Sequence, residues 1–140
     1  MRTVHRIALL ISILLALYVG VWAFALPTSF YASFPGFGLH WVDIDGPFNE
    51  HLVRDVGALY LAVAAGSIVG LVRFVAASAP VLGAAWTVFG ALHFAYHAAH
   101  LGEMSVGDAI GNVATLGLSL LLGIVLLVPE RRTVETGVAR

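Results

Sequence analysis

The chain of 140 residues contains no cysteine and no lysine, and only 11% of it is charged. Without cysteine there can be no disulfide, iron–sulfur cluster or thiolate metal site, so any metal would rest on nitrogen and oxygen ligands. Seven basic residues, all arginine, against eight acidic ones give a net charge of -1. That leaves no basic surface for a phosphate backbone and excludes nucleic acid as a partner. Heptads, tandem repeats and low-complexity tracts are also missing. So are a phosphate-cradling glycine loop, a serine nucleophile beside a base, and a bis-histidine pair plainly set on facing helices for haem.

What is abundant is apolar: 60% of the residues are hydrophobic, and the mean hydropathy is +0.95. The runs Ile7 to Leu26, Val56 to Val72, Val81 to Gly102 and Ala109 to Val128 carry no charge apart from histidine. Each has about the length needed to cross the ~30 Å hydrocarbon layer at ~1.5 Å per residue. They predict an all-α integral membrane four-helix bundle, one domain over 1–140, with helices at about 5–26, 47–74, 79–102 and 106–129. Ala23-Phe24-Ala25 looks like a signal-peptidase site. The apolar stretch before it is longer than the usual ~7–15-residue signal core, so the first helix is expected to be retained.

Arg2, Arg6, Arg73, Arg131 and Arg132 flank alternate ends of the runs, while Asp43, Asp45, Glu50, Glu103 and Asp108 lie in the other two connections. The positive-inside rule then places both termini in the cytoplasm of a cell-membrane protein. The long first connection, Pro27 to Asn49, is external on this reading. Its Phe30, Tyr31, Phe34, Phe37 and Trp41 make either a flap on the outer membrane interface or a plain aromatic anchor. Asp45 or Asn49 is expected to cap the second helix, Pro80 to sit in the first turn of the third, and Ser105-x-x-Asp108 to form a capping box for the fourth. Ala62, Gly66 and Gly70, with Gly107 and Gly111, are the expected helix-packing positions. Glu130 to Arg140 reads as a polar tail, and His5 as a solvated juxtamembrane residue.

Polar residues converge in the outer half. His93, His97 and His100 recur at i, i+4 and i+7, so they share a stripe about 60° wide with Trp86. The second helix carries His51 and Asp55 on one face with Arg54 beside them, and Tyr96 lies next to His97. Asp108, Asn112, Thr115 and Ser119 form a polar stripe on the fourth helix, which should face the bundle interior because lipid contact would be costly. Three helices are therefore expected to aim His, Asp, Arg and Asn at a shared outward-opening pocket, with a polar cluster of His51, Arg54, Asp55, Tyr96, Asp108 and Asn112. Each signal also has a plainer reading: interfacial hydrogen bonding for the histidines, a charge pair for Arg54 and Asp55, amide capping for Asp108, and back-bonding to the preceding turn for Thr115 and Ser119.

The segments Asn49-Glu50-His51-Leu52-Val53-Arg54-Asp55-Val56-Gly57, His93-Phe94-Ala95-Tyr96-His97-Ala98-Ala99-His100-Leu101 and Asp108-Ala109-Ile110-Gly111-Asn112 together resemble a family of small, uncharacterised four-helix membrane proteins of actinobacteria. The Asn49-Glu50 and Arg54 region is more distantly similar to the DoxX-like group, whose members include subunits associated with membrane redox complexes. The histidine trio departs from that wider group. Two functions stay open. One is a non-enzymatic accessory subunit of a larger membrane complex, or a homo-oligomer, whose polar cluster pins the bundle. The other is a site for copper, zinc or iron using His93, His97, His100 and Asp55. Ion or proton passage is disfavoured, because the inner helix halves show no ionisable residue to continue a path.

Overall fold

The computed structural model describes residues 2–73 and 78–129; Arg131, Arg132 and the expected tail lie outside them. Four long helices carry the fold: α1 (Arg2–Ala25), α3 (Glu50–Arg73), α4 (Ser78–Ala99) and α5 (Val106–Leu127), with a short α2 (Pro27–Ser33) after the first. All four long helices have the length and hydropathy to cross a membrane, which is compatible with a multi-pass membrane protein. Leu14, Leu59, Val72, Val81, Leu92 and Ile110 are among the large apolar side chains turned outward. In water that surface would be unfavourable, and in lipid it is not.

Helix ends follow local chemistry. Asn49 Oδ1 accepts from the Leu52 amide (3.2 Å) and so starts α3 later than expected, while Asp45 belongs to a 3-10 turn, Asp43–Asp45. Pro80 lies in the first turn of α4, as expected. That helix ends at Ala99 because His100 leaves helical geometry and Leu101–Glu103 continues as a 3-10 turn. Ser105 Oγ accepts from the Asp108 amide (3.2 Å), which realises the predicted capping box.

The first connection is more ordered than a loop. After α2, β1 (Pro35–Gly36) and β2 (Leu39–His40) pair antiparallel around a turn in which Gly36, Phe37 and Gly38 all take positive φ. Tyr18 Oη donates to the Pro35 carbonyl (2.8 Å) and Tyr31 Oη to the Gly46 carbonyl (2.6 Å), so α1 holds the hairpin and α2 the segment that follows it.

α1 packs along α3 and α4 along α5, and the two pairs meet through narrower contacts of α1 with α5 and α3 with α4. Close approach within the pairs uses other glycines than expected. A Cβ on Gly57 would lie 2.5 Å from the Phe24 amide nitrogen, and one on Gly123 would lie 2.7 Å from the Thr87 amide nitrogen. Ala62 and Gly66 are exposed, Gly107 meets only Ser105, and Gly111 makes room for the Trp41 ring. Of the expected positions Gly70 sits tightly in a helix contact, against Leu82, and Gly66 touches the same side chain more loosely. The small-residue pattern marks where backbones can approach, and the neighbouring bulky side chains decide where they do.

The core cluster of Ala8, Leu9, Ala16, Ala64, Trp86, Leu122 and Leu126 draws on all four long helices. It fills the half of the bundle that contains the start of α1 and the end of α5. His5 is buried there, 3% exposed, and is not the solvated residue its position suggested. A full turn of α1 precedes the packed Ala8 and Leu9, so His5 faces inward on the same side of the helix.

A cavity between the two helix pairs

The other half of the bundle is hollow. A cavity of about 610 Å³ lies between the pairs, within the ~300–1,000 Å³ range of small-molecule sites. Its apolar wall comes from Leu15 and Val19 of α1, Val53, Val56 and Tyr60 of α3, Trp86 of α4 and Leu116 of α5. Phe30, Phe34 and Trp41 line it from the first connection. These rings form an edge-to-face cluster with Trp22, with centroids 4.5 to 6.1 Å apart, that fixes the connection against α1.

Trp41 Nε1 donates to Asp108 Oδ1 (2.9 Å), tying the connection to the first turn of α5. The Asp108 carboxylate thus accepts from the capping Ser105 hydroxyl (2.6 Å) through Oδ2 and anchors the connection through Oδ1. At the packed end of the cavity Trp86 Nε1 donates to Ser67 Oγ (3.1 Å), so the indole floor is satisfied internally.

Two polar groups in the cavity wall are not satisfied. His97 is 8% exposed and Asn112 is 2% exposed; His97 Nδ1 and Asn112 Oδ1 have no hydrogen-bond partner among the described residues. Leaving a buried acceptor or donor unpaired costs on the order of 1–3 kcal/mol. Both atoms are covered by the protein itself, so it is other atoms of His97 and Asn112 that face the cavity. His93 also lines the cavity, stacked on Phe89 with centroids 5.2 Å apart and edge-on to His97 at 4.8 Å. Thr115 Oγ1 donates back to the Gly111 carbonyl (2.8 Å), the plainer of its two readings.

The expected cluster splits in two. His93, Tyr96, His97 and Asn112 share the cavity wall. His51 and Asp55 instead pair with each other at 3.1 Å on the outside of α3, with side chains 82% and 63% exposed. Arg54 pairs with Glu50 (2.8 Å), not with Asp55, and also donates to the Phe24 carbonyl at the end of α1. The i, i+4 spacing decides both pairs, since residues one apart diverge by about 100°. His100 stands outside the cavity: its Nδ1–H donates to the Tyr96 carbonyl (2.7 Å), and its ring stacks on Tyr96.

The proposed metal set His93, His97, His100 and Asp55 is therefore not assembled. Among the described residues no three histidine or acidic side chains are placed to hold a metal ion. Asp55 points away because α3 buries Val53, Gly57 and Ala64 against its neighbours, and that face excludes residue 55.

The sequence pattern points to an outward-opening pocket shared by three helices, but not to its largely apolar wall or to the roles of Trp41 and Asp45 in it. The polar stripe of α5 was the available signal, since Asn112, Thr115 and Ser119 all line it. Comparison of the chain with protein-family models, with curated proteins and with solved structures gives no match.

Proposed function

We propose that this chain is a small multi-pass membrane protein that binds an apolar small molecule between its two helix pairs. It serves as a non-enzymatic accessory subunit to a larger membrane assembly. The observation that carries the binding role is the 610 Å³ cavity itself, a largely apolar chamber with Asp45, His93, His97 and Asn112 among its lining residues. An interior that only had to specify helix register would be close-packed throughout, as it is around Leu9, Trp86 and Leu126 at the other end of the bundle. The accessory role rests on the resemblance to the DoxX-like group and on the small size of the chain. The membrane orientation rests on the arginines, with both termini cytoplasmic and the cavity end outside.

The test is extraction and mass spectrometry of small molecules from gently purified protein. The wild type is compared with Val56→Trp, which places an indole in the cavity. A molecule near one per chain in the wild type, and lost from Val56→Trp, is the expected result. Equal recovery from both would place the molecule in the detergent belt and overturn the binding role.

A further inference from the structure

α3 and α4 are joined at one end and parted at the other. Near the end of α3 and the start of α4, Leu82 packs against Gly70 and Gly66, Trp86 Nε1 reaches Ser67 Oγ, and the Tyr60 ring stands edge-on to Phe89 with centroids 5.2 Å apart. Closer to the hairpin, Leu52 and Val56 of α3 and His93 and Tyr96 of α4 line the cavity instead. Leu52, Val56 and Tyr96 are also exposed on the outside of the bundle. The lining residues of α1 and α5, Leu15, Val19, Asn112, Thr115, Leu116 and Ser119, are all buried or half-buried. The cavity therefore opens sideways between α3 and α4. Leu59 and Leu92, one turn away on the same helix faces, are exposed too, so the opening lies in a continuous apolar surface of the kind that suits lipid.

We propose that a bilayer lipid threads one hydrocarbon chain through this window into the cavity and keeps its head outside; this rests on the binding role proposed above. The depth suits one leaflet. The lining on α4 runs from Trp86 to His97, about 16 Å along the axis at ~1.5 Å per residue, close to half of the ~30 Å hydrocarbon layer. The two ends suit a chain and its head. Leu15, Tyr60 and Trp86 lie at the far end, while Asp45, Asn49 and His97 lie at the hairpin end, where the chain emerges. Asp45, His93 and His97 in the lining, with the pairs Glu50–Arg54 and His51–Asp55 on α3, are charged or titratable groups near the window. Because the head stays outside, the cavity recognises the chain by shape and apolar contact, and the charge of the head is not what selects it.

The experiment uses full-length protein in phosphatidylcholine vesicles that contain a minor share of phosphatidylcholine with a diazirine near the end of one acyl chain. After illumination, adducts are mapped by peptide mass spectrometry. Adducts are expected on Val53 and Trp86, which are buried in the cavity wall, beside those on the outward-facing Leu14, Leu59 and Leu92. Val56→Trp, which fills the window, should abolish the inward adducts and spare the outward ones; Leu52→Trp at the same window should do likewise if Val56→Trp fails to fold. Leu118→Trp, exposed on α5 and away from the cavity, should change neither set. Adducts confined to outward residues of the wild type overturn the proposal, and so do inward adducts that persist when the window is filled. If a molecule other than a lipid is extracted near one per chain and is lost from Val56→Trp, the binding role stands and the lipid chain falls. If inward adducts and a copurifying molecule are both absent, both readings fall.

Discussion

Asn112 and Asp55 are both polar residues in apolar helices, and their surroundings give them opposite roles. Asn112 is 2% exposed with an unpartnered oxygen, so Asn112→Leu is expected to leave the empty protein as stable as before, or more stable by about 1 kcal/mol. Asp55 shares an exposed pair with His51, and Asp55→Ala should cost no more than about 1 kcal/mol. Thermal unfolding in detergent without added ligand checks both. A large loss in Asn112→Leu would mean that the protein itself satisfies the amide. Sequence spacing correctly put Asn112 inside, because a three-turn polar stripe has only one affordable direction to face. Spacing misplaced Asp55, because at a helix end a charged side chain can reach water from any face.

At the level of elements, the four helices were legible from length and hydropathy alone, and their caps from single residues such as Asn49 and Ser105. Which glycines carry the packing was not. Gly57, Gly83, Gly90 and Gly123 lie against neighbouring backbone, and their importance depends on partner residues thirty or more positions away in the sequence. Gly123→Ala, whose Cβ would meet the Thr87 backbone, is expected to destabilise by about 1–3 kcal/mol. Gly107→Ala meets nothing closer than Ser105 Oγ at 3.9 Å and is expected to stabilise by about 0.5 kcal/mol through helix propensity. If the two variants melt together, α4 and α5 do not approach as closely as described. A pocket at the outer end was legible from the polar residues, but its size and apolar wall were not, for the same reason: it is what remains when close packing brings helices together in pairs and leaves the pairs apart at one end.

For the whole molecule, the proposed orientation can be read directly because the chain has no cysteine to remove. A single cysteine at Thr3 is expected to resist a membrane-impermeant thiol reagent in intact cells, and one at Phe37, which is 97% exposed in the hairpin turn, to react. The opposite pattern would invert the bundle. The bond between Trp41 and Asp108 joins residues 67 apart in sequence and has a consequence for biosynthesis. Proteins are made from the N-terminus at roughly 5–20 residues per second, so α1, the hairpin and α3 emerge and pair seconds before α5 exists. During that interval the aromatic connection has no carboxylate to fasten to, and the surface that will line the cavity still faces lipid. The cavity is thus the last part of the protein to be built, and on the proposed membrane and binding roles its first occupant would come from the bilayer around the growing chain.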